Sequence, residues 1–219
     1  MNDDHAWYNS VMTESIYGPY RDVLPHVMDL LVKRIETLNQ KYKETSGEGI
    51  YEHFIYRIKS EDSMREKCRR KKLPETYQTA LNDMHDAIGC RIVCSFVDDI
   101  YQIVNYLKSQ EDVIVFNEKD YVKNPKENGY RSYHMIVQLQ VPYEDWQGNN
   151  PGLYFAEIQL RTIAMDSWAA LEHQVKYKKD LGKTDLKLIT EELKRCADEL
   201  ASCDLSMQTI RNLIQEEQK

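Results

Sequence analysis

The sequence contains no apolar run approaching the roughly 18 residues that a membrane-spanning helix needs. It begins with polar and acidic residues, so the basic start and apolar stretch of a secretory signal are missing. No Cys-x-x-Cys pair occurs and the five cysteines are odd in number, which disfavours a disulfide framework or a zinc site. We therefore expect a cytoplasmic protein with free cysteines and no membrane association.

An excess of positive charge is also missing. The formal net charge is −7, so general attraction to nucleic acid is not expected. The charge is uneven, however, because residues 65–72 hold six basic side chains and one acidic one. A concentrated basic segment on an acidic protein needs a reason, and a polyphosphate ligand is one. With 42% hydrophobic and 30% charged residues, the composition is that of a globular domain.

Predicted helices and strands are interspersed along the chain, which indicates an α/β (α+β) fold with one central mixed sheet flanked by helices. Strands are predicted at residues 53–59, 87–96, 113–116, 133–141 and 153–160. Helices are predicted at about 22–44, over the basic segment, from Pro74 to about Met84, and at 98–109 and 162–178.

The tail carries apolar residues at alternating steps of three and four, which predict a long helix with an apolar seam. The helix could pack on its own domain, but the length of the repeat favours a subunit interface. The seam consists of Leu186, Ile189, Leu193, Cys196, Leu200, Cys203, Met207, Ile210 and Ile214.

The first segment suited to binding phosphate is Arg57-x-Lys59-Ser60-x-x-Ser63-x-x-x-Lys67. Here a predicted strand runs into the N-terminus of a helix. Free backbone N–H groups and Ser, Lys and Arg side chains can bind phosphate oxygens at such a place. A solvated basic helix is the alternative.

The second segment, from Asp86 to Arg91, places a carboxylate just before an apolar strand and a guanidinium within it. One interpretation is a buried Asp86–Arg91 ion pair. The other is a Mg²⁺ ligand, because Mg²⁺ takes one or two carboxylates and leaves room for substrate phosphates. Hydrolase chemistry from the His85-Asp86 dipeptide is not expected, since the six histidines include no helical pair at metal-ligand spacing.

The third segment, residues 119–134, gathers lysines, an amide, aromatic rings and a histidine around an Asn-Gly turn. An aromatic face can stack on a base and lysines neutralise phosphate, so this loop suits a purine nucleotide; an ordinary exposed loop is the alternative. On the next predicted strand, Glu157, Gln159 and Arg161 alternate and share one face. Asp86 and Glu157, from different strands, could share a metal and activate a hydroxyl.

Together these segments resemble the synthetase domain of the RelA/SpoT superfamily, and among its members the small alarmone synthetases. The resemblance runs from about residue 19 to residue 179, and its Asn-Pro-Lys-x-Asn-Gly-Tyr-x-Ser-x-His block is highly specific. It implies a nucleotidyltransferase-like synthetase domain at residues 51–180. A helical segment at 1–50 would precede this domain, and an oligomerisation helix at 181–219 would follow it. The matching stretches are Arg57–Ser60, His85–Cys94, Tyr121–His134, Glu157–Thr162 and Trp168–His173.

The resemblance also implies a role for each matching residue. The ATP-binding residues would be Arg57, Lys59, Ser63, Lys67 and Arg91, with the two arginines on either side of the adenine. Mg²⁺ would be held by Asp86 with help from Glu157, which would also orient or deprotonate the attacking hydroxyl. The GDP or GTP acceptor would stack on Tyr130, and its contacts would be Lys119, Lys126, Asn128, Tyr130, His134, Gln159 and Arg161.

The implied reaction transfers the β,γ-diphosphate of ATP to the 3′-hydroxyl of GDP or GTP and releases AMP, as in the bacterial stringent response. Small members of the superfamily commonly form homotetramers, so we expect a homotetramer here, and we expect no ribosome-sensing modules because the flanks of the domain are short. Two alternatives stay open. Toxin relatives pyrophosphorylate adenine nucleotides or the 3′ end of tRNA. The basic segment or the tail could also bind single-stranded RNA as a regulator.

Overall fold

The computed structural model describes residues 14–177 and 183–217, with side chains for 14–175 and 187–217. Within these ranges the elements are α1 (Val23–Ser46), β1 (His53–Ile58), α2 (Glu61–Lys71), β2 (Ile88–Cys94), α3 (Val97–Lys108), β3 (Val113–Asp120), β4 (Tyr133–Val141), β5 (Gly152–Thr162), α4 (Ile163–Tyr177) and α5 (Lys183–Glu217). A short 3₁₀ turn at Gly18–Tyr20 precedes α1, and a π-helical turn at Thr79–Asp83 precedes β2.

The five strands form one mixed sheet in the order β1-β2-β5-β4-β3. Only the central β2–β5 pair is parallel; the other three pairs are antiparallel. The predicted α/β fold with a single mixed sheet is therefore confirmed. No helix within the described ranges is long and apolar enough to cross a bilayer.

One face of the sheet is apolar and packs against α1 and α3. The helix α1 turns its apolar positions, among them Val27, Leu31 and Ile35, toward this core. It ends at Gly47, whose positive φ of 81° is a conformation that glycine adopts without strain. The opposite face carries polar side chains, because residues alternate between the two faces along each strand. That open face is where the functional candidates lie.

Two predicted elements differ in extent. The helix expected from Pro74 begins only at about residue 77. The Thr76 hydroxyl accepts a hydrogen bond from the Thr79 backbone N–H at 3.2 Å and so acts as the N-cap of this shorter helix. The strand expected at 113–116 continues to Asp120 by pairing with β4, with a bulge between Val115 and Asn117.

All five cysteines are free, as predicted; Cys68, Cys90 and Cys94 are buried, while Cys196 and Cys203 are exposed. Burial raises the pKa of the Cys90 thiol to about 12, so it stays protonated at neutral pH. These buried thiols therefore act as small apolar core side chains.

The long helix α5 packs on α3 and α4 of its own domain. Its buried positions are Ala197 and Gln208, which are not members of the predicted seam. Seam residues Met207, Ile210 and Ile214 are about half exposed, at 48%, 49% and 52%. The side chain of Leu186 lies outside the described residues, as do residues 1–13 of the predicted N-terminal segment. The exposed stripe, defined as Cys196, Cys203, Met207, Ile210 and Ile214, thus lies beside the face that packs on the domain.

Candidate active site

The strand register places the polar candidates in rows across the open face of the sheet. Glu157 on β5 is level with Gly89 on β2, and Gly89 is level with Arg57 on β1. In the next row, Gln159 lies between Arg91 on one side and His134 on the other. The intervening residues Ile158 and Leu160 are fully buried on the opposite face, as the alternation predicted.

A cationic cluster forms where β1 leads into α2. The Nζ atoms of Lys59 and Lys67 lie 3.0 and 2.6 Å from Oδ2 of Asp86. The backbone N–H of Lys59 donates to the carbonyl of Ala87 at 2.8 Å, which fixes Lys59 beside this carboxylate. One anion thus faces two cations, which leaves a local positive charge for a phosphate.

The N-terminus of α2 lies next to this cluster. Ser60 caps the helix, because its hydroxyl accepts the backbone N–H of Ser63 and bonds to the Ser63 hydroxyl at 2.8 Å. The free N–H groups of the first helical turn and the two hydroxyls are all able to bind phosphate oxygens. The structure therefore brings together Lys59, Ser63 and Lys67, which the sequence grouped as phosphate ligands.

The alternative of a buried Asp86–Arg91 ion pair is wrong. Asp86 pairs with the two lysines, whereas the Arg91 guanidinium lies 3.5 Å from Asp166. Arg91 is a strand residue whose side chain points onto the open face, while Asp86 precedes the strand and points toward α2. Spacing along the chain did not separate these two directions.

A cleft of about 220 Å³ opens between β1, β2 and β5. Arg57 and Arg91 are on its walls, and Glu157 and Gln159 border it on the β5 side. A side chain at Gly89 would meet nothing within 4 Å, so this glycine keeps the middle of the cleft open. Two guanidinium planes beside such a space can take a flat heteroaromatic ring.

On the other side of Glu157, an aromatic and cationic cluster forms around Tyr130. The Tyr130 hydroxyl accepts from Nη2 of Arg161 at 2.9 Å and lies 2.8 Å from Nε2 of His134. Lys126 Nζ is 4.7 Å from the centre of the Tyr130 ring. Arg161 is held in turn by Asp166, with Nη1 at 2.9 Å from the carboxylate.

His134 is neutral at physiological pH. Burial and the nearby positive charges of Arg161, Lys126 and Lys119 lower its pKa to about 4. The Tyr130 hydroxyl accepts a hydrogen bond from Arg161 and lies within hydrogen-bond distance of Nε2 of His134, so the three side chains are joined through this hydroxyl. Nδ1 of His134 lies 3.8 Å from Oε1 of Glu157, which places the imidazole beside this carboxylate without a direct hydrogen bond.

The other acceptor candidates surround this cluster. The Asn128 side chain accepts the backbone N–H of Tyr130 at 3.2 Å and donates to Glu172 of α4 at 3.2 Å, which shapes the loop under the ring. Gln159 accepts from Arg161 at 3.3 Å. Lys119 is paired in register with His134 and is exposed at the rim.

Asp166 was not among the residues predicted from the sequence, and Tyr121 was given no role, although both belong to this site. Asp166 pairs with both Arg91 and Arg161 and so links the cleft to the Tyr130 cluster. Asp166 lies in the first turn of a helix that directly follows a strand ending in polar residues. This position is the feature of the sequence that could have indicated a role in the site. The ring of Tyr121 is 5.5 Å from His134 and lies 4.9 Å from Lys126 Nζ.

The residues around Asp86 fit a Mg²⁺ ion whose ligands come partly from the protein and partly from a bound substrate. Oδ1 of Asp86 is buried and has no hydrogen-bond partner among the described residues, so one carboxylate oxygen is still available to a ligand. No group of three or more His, Cys, Asp or Glu side chains in residues 14–177 and 183–217 could hold a metal ion by itself. Mg²⁺ typically binds through one or two carboxylates together with substrate phosphates and water.

Comparison with known proteins places this geometry in a family. The pattern described as "Region found in RelA / SpoT proteins" matches residues 56–182, which contain most of the site described above. The chain belongs to the RelA/SpoT family. It is 40% identical to GTP pyrophosphokinase YwaC of Bacillus subtilis over 176 residues, which cover 80% of this chain and 81% of YwaC. It is 34% identical to GTP pyrophosphokinase YjbM of the same organism, over 99% of this chain and 93% of YjbM.

The fold agrees with solved structures of this family. Small alarmone synthetase 1 from Bacillus subtilis, bound to its product pppGpp, superimposes with a TM-score of 0.70 at 31% identity. The match covers 90% of this chain and 95% of that one. The mixed five-stranded sheet and its flanking helices are therefore the RelA/SpoT synthetase fold.

Proposed function

We propose that this chain is a (p)ppGpp synthetase, an ATP-dependent GTP or GDP pyrophosphokinase. The observation that carries the proposal is the position of Glu157. On one side of Glu157 lie the cleft with its two arginines and, beyond it, the cationic cluster. On the other side lies the Tyr130–His134–Arg161 cluster. A carboxylate between a phosphate-binding site and a base-stacking site suits transfer between two nucleotides. The GTP pyrophosphokinase relatives and the pppGpp-bound neighbour support the same activity.

In the proposed arrangement, ATP binds with its adenine between Arg57 and Arg91 and its phosphates on Lys59, Ser63 and Lys67. The acceptor guanine stacks on Tyr130, near Asn128, His134, Gln159 and Arg161, and its 5′ phosphates meet Lys119 and Lys126. The two polyphosphates are both negatively charged and repel each other, and each lysine or arginine neutralises part of that charge.

The 3′-hydroxyl oxygen of the acceptor attacks the β-phosphorus of ATP. A new P–O bond forms, the bond to the α,β-bridging oxygen breaks, and AMP leaves with that electron pair. Glu157 accepts or orients the hydroxyl proton, and the neutral His134 beside it adds no competing positive charge. Most of the acceleration comes from alignment and from fixed cations around the transferred diphosphate.

We also propose that Mg²⁺ is the cofactor and that Asp86 and Glu157 hold it, because the free Oδ1 of Asp86 suits a hard cation. When bound, the ion neutralises charge on the phosphates. For assembly we propose a homo-oligomer, with a tetramer favoured, formed through the exposed stripe of α5. The free cysteines support a cytoplasmic location.

The test is incubation of the purified protein with labelled ATP, Mg²⁺ and either GDP or GTP, beside Glu157→Gln and Glu157→Ala. We expect a 3′-pyrophosphorylated guanine nucleotide and an equal amount of AMP. Loss of a positioned general base typically lowers kcat about 10²–10⁴-fold. The exposed Glu199, which pairs with Arg195 on α5, gives the matched control Glu199→Gln, which should leave kcat unchanged.

Competing acceptors decide the specificity. GDP, GTP, ATP and tRNA are supplied together, and each product is identified by chromatography. AMP release that needs tRNA or an adenine acceptor would contradict the proposed guanine specificity. Full activity in Glu157→Gln would contradict the role of this carboxylate.

A further inference from the structure

The loop that joins β3 to β4, residues 121–132, packs directly on α5. We call it the acceptor loop because it carries Lys126, Asn128 and Tyr130. At its turn, Gly129 has a positive φ of 88° and touches the helix. A Cβ built on Gly129 would lie 2.5 Å from Cβ of Ala197 and 3.1 Å from Cα of Lys194. No side chain fits between the loop and the helix, so the two backbones are in close contact.

An ion pair fixes the same contact from the side. Nη2 of Arg131 lies 3.3 Å from Oδ1 of Asp198 on α5. The other terminal nitrogen of Arg131 donates to the carbonyl of Val122 at 3.1 Å. A single guanidinium therefore joins the beginning of the acceptor loop, its end and the helix.

A third contact runs through α4. Nε1 of Trp168 donates to the backbone carbonyl of Leu193 on α5 at 2.9 Å, and its ring lies edge-on to the Tyr130 ring at 6.3 Å between centres. The proposed stacking ring for the acceptor is thus backed by a side chain that is itself anchored to α5. The cluster of Lys59, Lys67 and Asp86 lies instead on β1, α2 and the segment before β2.

We propose that α5 is a positioning element for the acceptor site: Ala197 and Asp198 hold the acceptor loop in the conformation that presents Tyr130 and Lys126. A change on this face of α5 then weakens acceptor binding and leaves ATP binding in place. This inference rests on the proposed function for the identity of the acceptor. Its structural basis, the contact between loop and helix, does not.

The test compares Asp198→Ala with Glu199→Ala. Both remove an acidic side chain of α5 that forms an i,i+4 pair, with Lys194 and Arg195 respectively, but only Asp198 also reaches the acceptor loop. Because the Arg131–Asp198 pair is partly exposed, we expect Asp198→Ala to raise the KM for GDP or GTP about twofold to fivefold. The KM for ATP should stay within experimental error, and Asp198→Glu should restore most of the loss.

A second variant tests the close packing. Ala197→Leu inserts a larger side chain where the backbone of Gly129 already touches, so it should raise the acceptor KM more than tenfold. Hydrogen exchange of the backbone amides in residues 121–132 reports on the loop without any turnover. We expect faster exchange there in both Asp198→Ala and Ala197→Leu, with β1 and α2 unchanged.

Two results would overturn the inference. One is an acceptor KM in Asp198→Ala equal to that of Glu199→Ala. The other is a parallel rise in the KM values for ATP and acceptor, which would show general destabilisation. Wild-type protein that makes no pyrophosphorylated guanine nucleotide would contradict the proposed function instead, and the exchange measurement would still decide whether α5 holds the loop.

Discussion

The pairing of Asp86 with two lysines makes an unusual prediction for Asp86→Asn. The substitution preserves the shape of the side chain and removes its charge. In the wild type, the ammonium groups of Lys59 and Lys67 share one carboxylate oxygen of Asp86. In the ligand-free Asp86→Asn variant, both ammonium groups lose this counter-ion. The side chains of Lys59, Lys67 and Asp86 are largely buried, with 17%, 18% and 13% of their surface exposed, so water cannot effectively replace the missing charge.

The magnitude follows from this burial. Removing one partner of a buried ion pair costs about 3–5 kcal/mol, and the residual exposure places this case at about 3 kcal/mol. For a protein of this size, 1 kcal/mol corresponds to roughly 2–4 °C in Tm, so the melting temperature should fall by about 6–12 °C. Synthesis should also be lost, because Asp86 is the proposed metal ligand.

Although Asp86→Asn lowers the Tm of the free protein, it should increase the rise in Tm that ATP binding produces. In the wild type, the phosphates of ATP compete with Asp86 for the lysines. In Asp86→Asn they supply the missing negative charge. With a chelator present and no Mg²⁺, ATP should therefore raise the Tm of Asp86→Asn by more than it raises the Tm of the wild type.

Thermal unfolding with and without ATP in chelator measures both effects. Asp83→Asn is the matched control, since this exposed neighbour bonds to Asn82 and not to the lysines. A Tm for Asp86→Asn within 2 °C of the control, or a smaller ATP-induced rise than in the wild type, would refute the electrostatic reasoning.

Two further predictions concern pH and assembly. The pKa of His134 is lowered to about 4, so between pH 6.5 and 4 the unfolded chain binds a proton that the folded protein does not. Stability should fall by up to about 3 kcal/mol as pH drops through this window, and urea unfolding of His134→Gln should show less of this loss; an identical pH dependence would contradict it. Ile210→Glu with Ile214→Glu, at positions about half exposed, should dissociate the proposed oligomer while the secondary structure remains. Sedimentation would show this, with Thr209→Glu on another face of α5 as the control, and an unchanged mass would argue against the exposed stripe as the interface.

The sequence predicted the fold well where periodicity was strong. The β4 strand has the predicted bounds, Tyr133–Val141, because every second residue enters the core. Periodicity failed at the second half of β3, where Asn117 to Asp120 are polar. This is an edge strand held by backbone pairing with β4 and not by burial, so its sequence carries little signal.

The sequence predicted which side chains share a face of the sheet, but not which partners they take. The alternation in β5 correctly placed Glu157 and Gln159 on one face, since period two fixes the direction of each side chain. Which partners Asp86 and Arg91 take depended on α2 and α4, elements that arrive from elsewhere in the chain. Asp166 was missed for the same reason, because its role appears only when the start of α4 lies over β2 and β5.

The tail shows why a pattern can identify one face of a helix and miss another. The heptad repeat selects large apolar residues, and it therefore picked out the exposed stripe with Met207, Ile210 and Ile214. The face that packs on the domain uses Ala197, Asp204 and Gln208, which are small or polar and make close contacts or hydrogen bonds, such as Asp204 with the Thr162 hydroxyl at 2.6 Å. These positions carry no hydrophobic periodicity, although the seam residues Leu193 and Leu200 are half-buried beside them. Met207, Ile210 and Ile214 border a cavity beside Tyr42 and Phe96, about three to five turns of helix away from Ala197. A second copy bound to the exposed stripe there would leave the contact of Ala197 with the acceptor loop intact, and one helix would serve assembly and acceptor binding together.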